Sequence, residues 1–199
     1  RALKAAFNYL IMGTVGATFF VIGVGFLYMA TGSLNMLDIY ERLYDLESSR
    51  TVKAAYAFIV IGMGLKLAMF PMHLWLPGAE QHTTGGGRAL ITALLLPLGP
   101  YGLIRLCLPL FPSAAATAAP YVMGLALVGL LYAILLAALQ SDLVRRFAFI
   151  SIAQLSLVVI GVFSLTGQGF VGAVVAILNH CLTATALFLV LSFLYDRRE

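Results

Sequence analysis

Six stretches of this chain run apolar for about 20 residues each, the length that lets an α-helix cross a hydrocarbon layer about 30 Å thick. They are Ala5 to Ala30, Ala54 to Leu76, Ala89 to Leu110, Tyr121 to Leu139, Phe147 to Leu165 and Phe170 to Leu194. None alternates with a period of two, which argues against a membrane β-barrel. Charged residues make up 10% of the 199 residues, where a soluble domain carries about 25% on its surface. The expected fold class is therefore all-α: a polytopic transmembrane bundle of about six spans, forming one domain over residues 1–199. No short apolar leader with a cleavage site is visible. The chain opens on Arg1 rather than Met, and it reads as an excerpt of a longer protein.

Charge placement sets an expected orientation. With six spans both ends share a side, which collects Arg1, Lys4, Arg88, Arg145, Arg146, Arg197 and Arg198. The other side collects Arg42, Arg50 and Lys53, with Arg105 near the end of its span. Cytoplasmic loops carry the excess of Lys and Arg, so both ends are expected in the cytoplasm. The net charge of +4 is read through this topology, not as a footprint for nucleic acid. The one long polar loop, Thr31 to Thr51, is expected to be part helical. Cys107 and Cys181 fall inside spans and read as buried apolar residues.

One charge breaks the apolar pattern. Lys66 lies about 18 Å into the second run, at about 1.5 Å per residue from Ala54, near the middle of the membrane. An ionisable residue there is costly and marks a functional site by default. The eight carboxylates, Asp38, Glu41, Asp45, Glu47, Glu80, Asp142, Asp196 and Glu199, all lie outside the six runs, so Lys66 has no acidic partner at its own depth. An amine that takes up and releases a proton serves as a relay. The alternative is a structural lysine held by a carboxylate from another helix.

His73 follows in Phe70-Pro71-Met72-His73-Leu74-Trp75-Leu76-Pro77. Pro71 and Pro77 cannot both sit in an undisturbed helix: they remove the bonds to the carbonyls of Leu67 and His73. Such breaks in membranes line protein-enclosed or watery spaces, though packing alone also produces them. Pro97 and Pro100 should kink the third span, freeing the carbonyls of Ala93 and Leu96. His180 lies near the middle of the last span, where an imidazole can accept and donate protons or simply bond a neighbouring helix. His82 reads as an entrance group or a plain surface residue, and Gly85-Gly86-Gly87 as a flexible connection. Ser151, Gln154, Ser156 and Thr183 can hold water, but they also join helices. No nucleotide, flavin or metal motif is present. No cofactor and no catalytic site of the chain's own are therefore expected.

The run Leu65-Lys66-Leu67-Ala68-Met69-Phe70-Pro71-Met72-His73-Leu74-Trp75-Leu76-Pro77-Gly78-Ala79 resembles the signature of proton-translocating antiporter-like membrane subunits. These belong to respiratory complex I, its relatives, and Mrp-type sodium/proton antiporters. The likeness continues through Tyr101-Gly102-Leu103-Ile104-Arg105, Gln140 to Phe149 and Asn179-His180. The opening, Leu3 to Ile39, is most similar to the D subunit of Mrp antiporters. The resemblance implies a polar axis at mid-membrane in which Lys66 pairs with a glutamate upstream of Arg1. His73 and His180 continue the path, and a second half-channel lies beyond Glu199. It implies lipid and other membrane subunits as partners, protons and Na+ as cargo, and the cell membrane as the location.

Three positions depart from the family pattern. Pro97, Ala184 and Val144 stand where family members often carry lysines, and the loss at Pro97 removes a link between Lys66 and His180. The expected function is proton translocation within a multisubunit Na+/H+ antiporter. The alternatives are a proton-pumping subunit of a complex I-type or hydrogenase-type assembly, and a degenerate subunit kept for assembly. A haem carrier using His73 and His180 as axial ligands is the remaining rival.

Overall fold

The computed structural model describes residues 2–46 and 49–197; Ser48 lies outside them, as do Arg1, Glu47, Arg198 and Glu199, which entered the charge and carboxylate counts above. Among the described residues there are eight helices and no strand. They are α1 (Ala2–Thr31), α2 (Met36–Leu43), α3 (Arg50–Lys66), α4 (Trp75–His82), α5 (Gly85–Leu110), α6 (Pro112–Leu139), α7 (Leu143–Phe163) and α8 (Gly167–Asp196). Five of them (α1, α5, α6, α7 and α8) are long and apolar enough to cross a membrane. The sixth expected run, Ala54 to Leu76, is not one continuous helix: α3 stops at Lys66, and α4 starts at Trp75.

Caps place the joints. Asn35 Oδ1 accepts from the Leu37 N–H at 3.0 Å to start α2, in the loop expected to be part helical. Asp142 accepts from Val144 N–H at 2.8 Å to start α7, and Thr166 Oγ1 from Gly169 N–H at 3.1 Å to start α8. Each satisfies a donor that the first helical turn leaves open. Leu165, at φ +53°, turns the chain tightly enough for α7 and α8 to run antiparallel.

These helices are apolar all round, so polarity cannot decide which face points inward. Size does. In α6 the buried residues are Ala115, Ala119, Ala126, Gly129, Ala133 and Ala137, whereas Leu127, Leu131, Leu135 and Leu139 are exposed. Small residues let backbones approach, and contact between backbones holds membrane helices together where hydrophobic burial cannot. That stripe packs on α7, the most enclosed long helix, which also carries α8 on its other flank and touches α4. α1 lies along α3 by the same rule: a Cβ on Gly62 would come 2.8 Å from the carbonyl oxygen of Gly16.

Prolines shape α5 without breaking it. The helix stays continuous from Gly85 to Leu110, but π-helical turns occupy Ile91–Leu95 and Leu103–Cys107 on either side of Pro97 and Pro100. The Leu96 N–H reaches back to Ile91, one residue beyond the α-helical partner. The wider turn takes up the irregularity that the ring imposes. The Gly85-Gly86-Gly87 run, expected to be a flexible connection, forms the first turn of α5 instead. Thr84 stabilises it by accepting from the Gly87 N–H at 3.4 Å.

Candidate functional site at the broken helix

The break begins where α3 runs out at Lys66. The Leu67 N–H still bonds to Met63 at 3.0 Å, after which Ala68 turns to φ +54°. Left-handed backbone is unfavourable for a residue with a Cβ and is kept only where its surroundings impose it. Here they do. The Ala68 N–H bonds to Leu65 at 3.3 Å and the Met69 N–H to Gly64 at 2.9 Å, closing the end of α3. The Leu65 carbonyl also accepts from the indole Nε1 of Trp75 at 3.1 Å. The indole thus adds a second donor to this carbonyl and ties the start of α4 to the end of α3 across the break. Pro71 follows Phe70 through a cis peptide bond.

Pro77 costs less than expected. It is the third residue of α4, where an N–H would have no helical partner anyway. The His73 carbonyl expected to be left open by Pro77 accepts from Leu76 N–H at 3.1 Å. Neighbouring helices then close on the break. A Cβ on Gly99 of α5 would lie 2.4 Å from that of Leu67, and one on Gly129 of α6 would lie 2.7 Å from that of Phe70.

Lys66 is thus the last residue of a helix whose end is irregular, a position that favours a cation. It is half-buried and faces a cavity of about 20 Å³ lined by Tyr9, Met12, Gly13, Leu65, Trp75 and Leu95. That is room for about one water molecule. His73 is not among the lining residues. It is buried between the rings of Phe70 and Tyr132, at centroid distances of 5.5 and 5.2 Å, and neither ring nitrogen has a hydrogen-bond partner among the described residues.

The second polar group lies between α7 and α8. The Nδ1–H of His180 donates to Gln154 Oε1 at 2.7 Å. That bond leaves Nε2 as the ring atom that accepts a proton, and Nε2 has no partner among the described residues. Ser151, Gln154 and Thr183 line one cavity of about 170 Å³ together with Ala184, one of the positions where the resembled family often has lysine. Thr183 bonds back to Asn179 in its own helix at 2.6 Å. His82 is exposed at the end of α4, its Nδ1 3.0 Å from the Gly78 carbonyl.

One functional candidate is absent from the sequence reading. Glu80, placed outside the spans above, is fully enclosed at 0% exposure. Its Oε1 accepts from the hydroxyl of Thr92 at 3.3 Å, and its Oε2 has no partner among the described residues. The surrounding helix is firmly held: Arg88 Nε donates to the Glu80 carbonyl at 2.7 Å, and Gln81 Nε2 to Asp142 at 2.8 Å. The signal was present as helical spacing, since Leu76, Ala79 and Glu80 continue one buried face past Pro77.

Residues 1–199 match the family described as NADH:quinone oxidoreductase/Mrp antiporter, transmembrane. The NADH-quinone oxidoreductase subunit N of Desulforudis audaxviator is 38% identical over 193 residues, covering 96% of this chain and 38% of that protein. A chain of the archaeal membrane-bound sulfane sulfur reductase, a respiratory membrane complex, superposes with a TM-score of 0.87 at 28% identity, over 95% of this chain and 33% of that one. A chain of the Mrp complex from Dietzia sp. DQ12-45-1b has the same fold, with a TM-score of 0.87 at 22% identity, over 96% of this chain and 35% of that one. The chain thus spans well under half the length of each of these relatives.

Proposed function

The chain belongs to the NADH:quinone oxidoreductase/Mrp antiporter transmembrane family, and from that premise we propose that it moves protons across a cell membrane. It does so as one stretch of a longer subunit in a multisubunit complex. The observation that carries the reading is Lys66: an amine at the end of a broken helix, beside a cavity the size of one water. Lys66 holds the proton there, with charge on nearby groups deciding when it leaves. His180 accepts at Nε2 while Gln154 holds the ring, and the cavity beside Ala184 gives water the place that a lysine side chain would fill. His73 contributes a buried imidazole next to the break, with Pro71 opening the backbone.

Two couplings fit this reading. Sodium export follows from the similarity of the opening segment to the Mrp D subunit. Redox-driven pumping is favoured by the 38% identity to subunit N of an NADH-quinone oxidoreductase. In either assembly both ends of this segment face the cytoplasm.

The test uses inverted membrane vesicles containing the assembled complex, energised in turn by a sodium pulse and by a respiratory electron donor. Proton movement with either stimulus, lost when this subunit is deleted and restored when it is returned, supports the proposal. A complex that moves protons equally well without it would make the chain a scaffold.

A further inference from the structure

Glu80 is enclosed by this chain's own residues, and its Oε2 has no partner among the described residues. Arg88, the cation beside it, directs its Nε to the Glu80 main-chain carbonyl and not to the carboxyl group. Among the described residues the side chain is therefore left with one hydroxyl donor, from Thr92. A buried charge with so little compensation is expensive, and native structures keep such groups only with pairing or proton exchange.

Its placement gives the exchange a direction. Thr92 belongs to the first π-helical turn of α5, Ile91–Leu95, and Leu95 of the same turn lines the Lys66 cavity. One short segment thus touches the carboxyl group at one end and the amine's cavity at the other. π turns, which here also absorb the irregularity of Pro97, are frequent at functional sites. α4 holds the carboxyl group in place through the Gln81–Asp142 hydrogen bond.

We propose that Glu80, oriented by Thr92, is a second proton-holding site that exchanges one proton with Lys66 along this turn of α5. The proton leaving the Lys66 ammonium passes through water to Glu80 Oε2. One cation and one anion become a neutral amine and a neutral acid, and the reverse transfer restores both. Thr92 keeps its bond to Oε1 throughout. The site lies inside this chain and is separate from the acid that the family resemblance places upstream. It rests on the proton-translocating reading above.

The experiment compares the assembled complex carrying wild-type, Glu80→Gln, Glu80→Asp or Thr92→Val forms of this subunit. It records pH-difference infrared spectra in the carboxylic-acid carbonyl region, in H2O and D2O, alongside proton movement. Glutamine keeps the acceptor for Thr92, so a purely structural Glu80 would tolerate it. The proposal expects Glu80→Gln to delete one titrating, deuterium-sensitive carbonyl band and to lower proton movement by about tenfold or more. Glu80→Asp should retain both signals. Superimposable spectra, or wild-type transport by Glu80→Gln, overturn it. If Glu80→Gln does not assemble, Thr92→Val must still shift the wild-type band, and an unshifted band overturns the proposal equally. Lys66→Ala in the same series separates the two claims. Its loss of transport beside an active Glu80→Gln removes only this inference, whereas an active Lys66→Ala removes the broader reading.

Discussion

Lys66 and His180 are both polar groups inside an apolar bundle, yet the chain presents them in opposite ways. At Lys66 the backbone itself is remade: α3 ends, Ala68 turns left-handed, and the Trp75 indole covers a carbonyl. At His180 two regular helices face each other and a single hydrogen bond to Gln154 fixes the ring. The first arrangement is tight, with room for about one water. The second adjoins a cavity of about 170 Å³ beside Ala184. A site made from backbone is costly to alter, while one made from side chains on intact helices loses a group and leaves a hole.

Substitutions in the two regions should therefore differ in size and kind. Lys66→Ala removes the only amine at the break and is expected to abolish proton movement while the complex still assembles, as read by vesicle acidification and subunit stoichiometry. His180→Ala should slow transport by about tenfold or more, because water in the adjoining cavity carries part of the path. Equal losses from both variants would erase the contrast.

Ala184→Lys places an amine in the hole between Ser151 and Gln154. It is expected to raise transport above wild type, and an unchanged rate would mean that the cavity lies off the path. Trp75→Phe keeps the ring but deletes the N–H to Leu65, at a cost of about 1 kcal/mol and a lower unfolding temperature of the complex in detergent. Thr183→Val, whose hydroxyl bonds only within its own helix, should change stability by less than about 0.5 kcal/mol.

The spans were legible because a run of about 20 apolar residues has few other folds available. The break was legible too, since Pro71 and Pro77 fall close together. What the sequence hid was how each irregularity is absorbed. Pro77 is harmless because it falls in the first turn of α4. Pro97 and Pro100 are accommodated by π turns, and three glycines expected to be loose form a helical turn under the Thr84 cap. The burial of Glu80 was hidden for a related reason. Counting apolar residues ends the span at Leu76, but the buried face of α4 runs on, and burial follows the face rather than the composition. His73 shows the converse: a residue chosen for its chemistry lies in an aromatic contact with Phe70 and Tyr132, outside the Lys66 cavity.

The most direct test of the central claim is proton flux through the purified complex in liposomes, wild type against Lys66→Ala, matched for subunit content. The account predicts that the variant falls to the leak of empty liposomes. Flux at the wild-type rate from a fully assembled Lys66→Ala complex would contradict it.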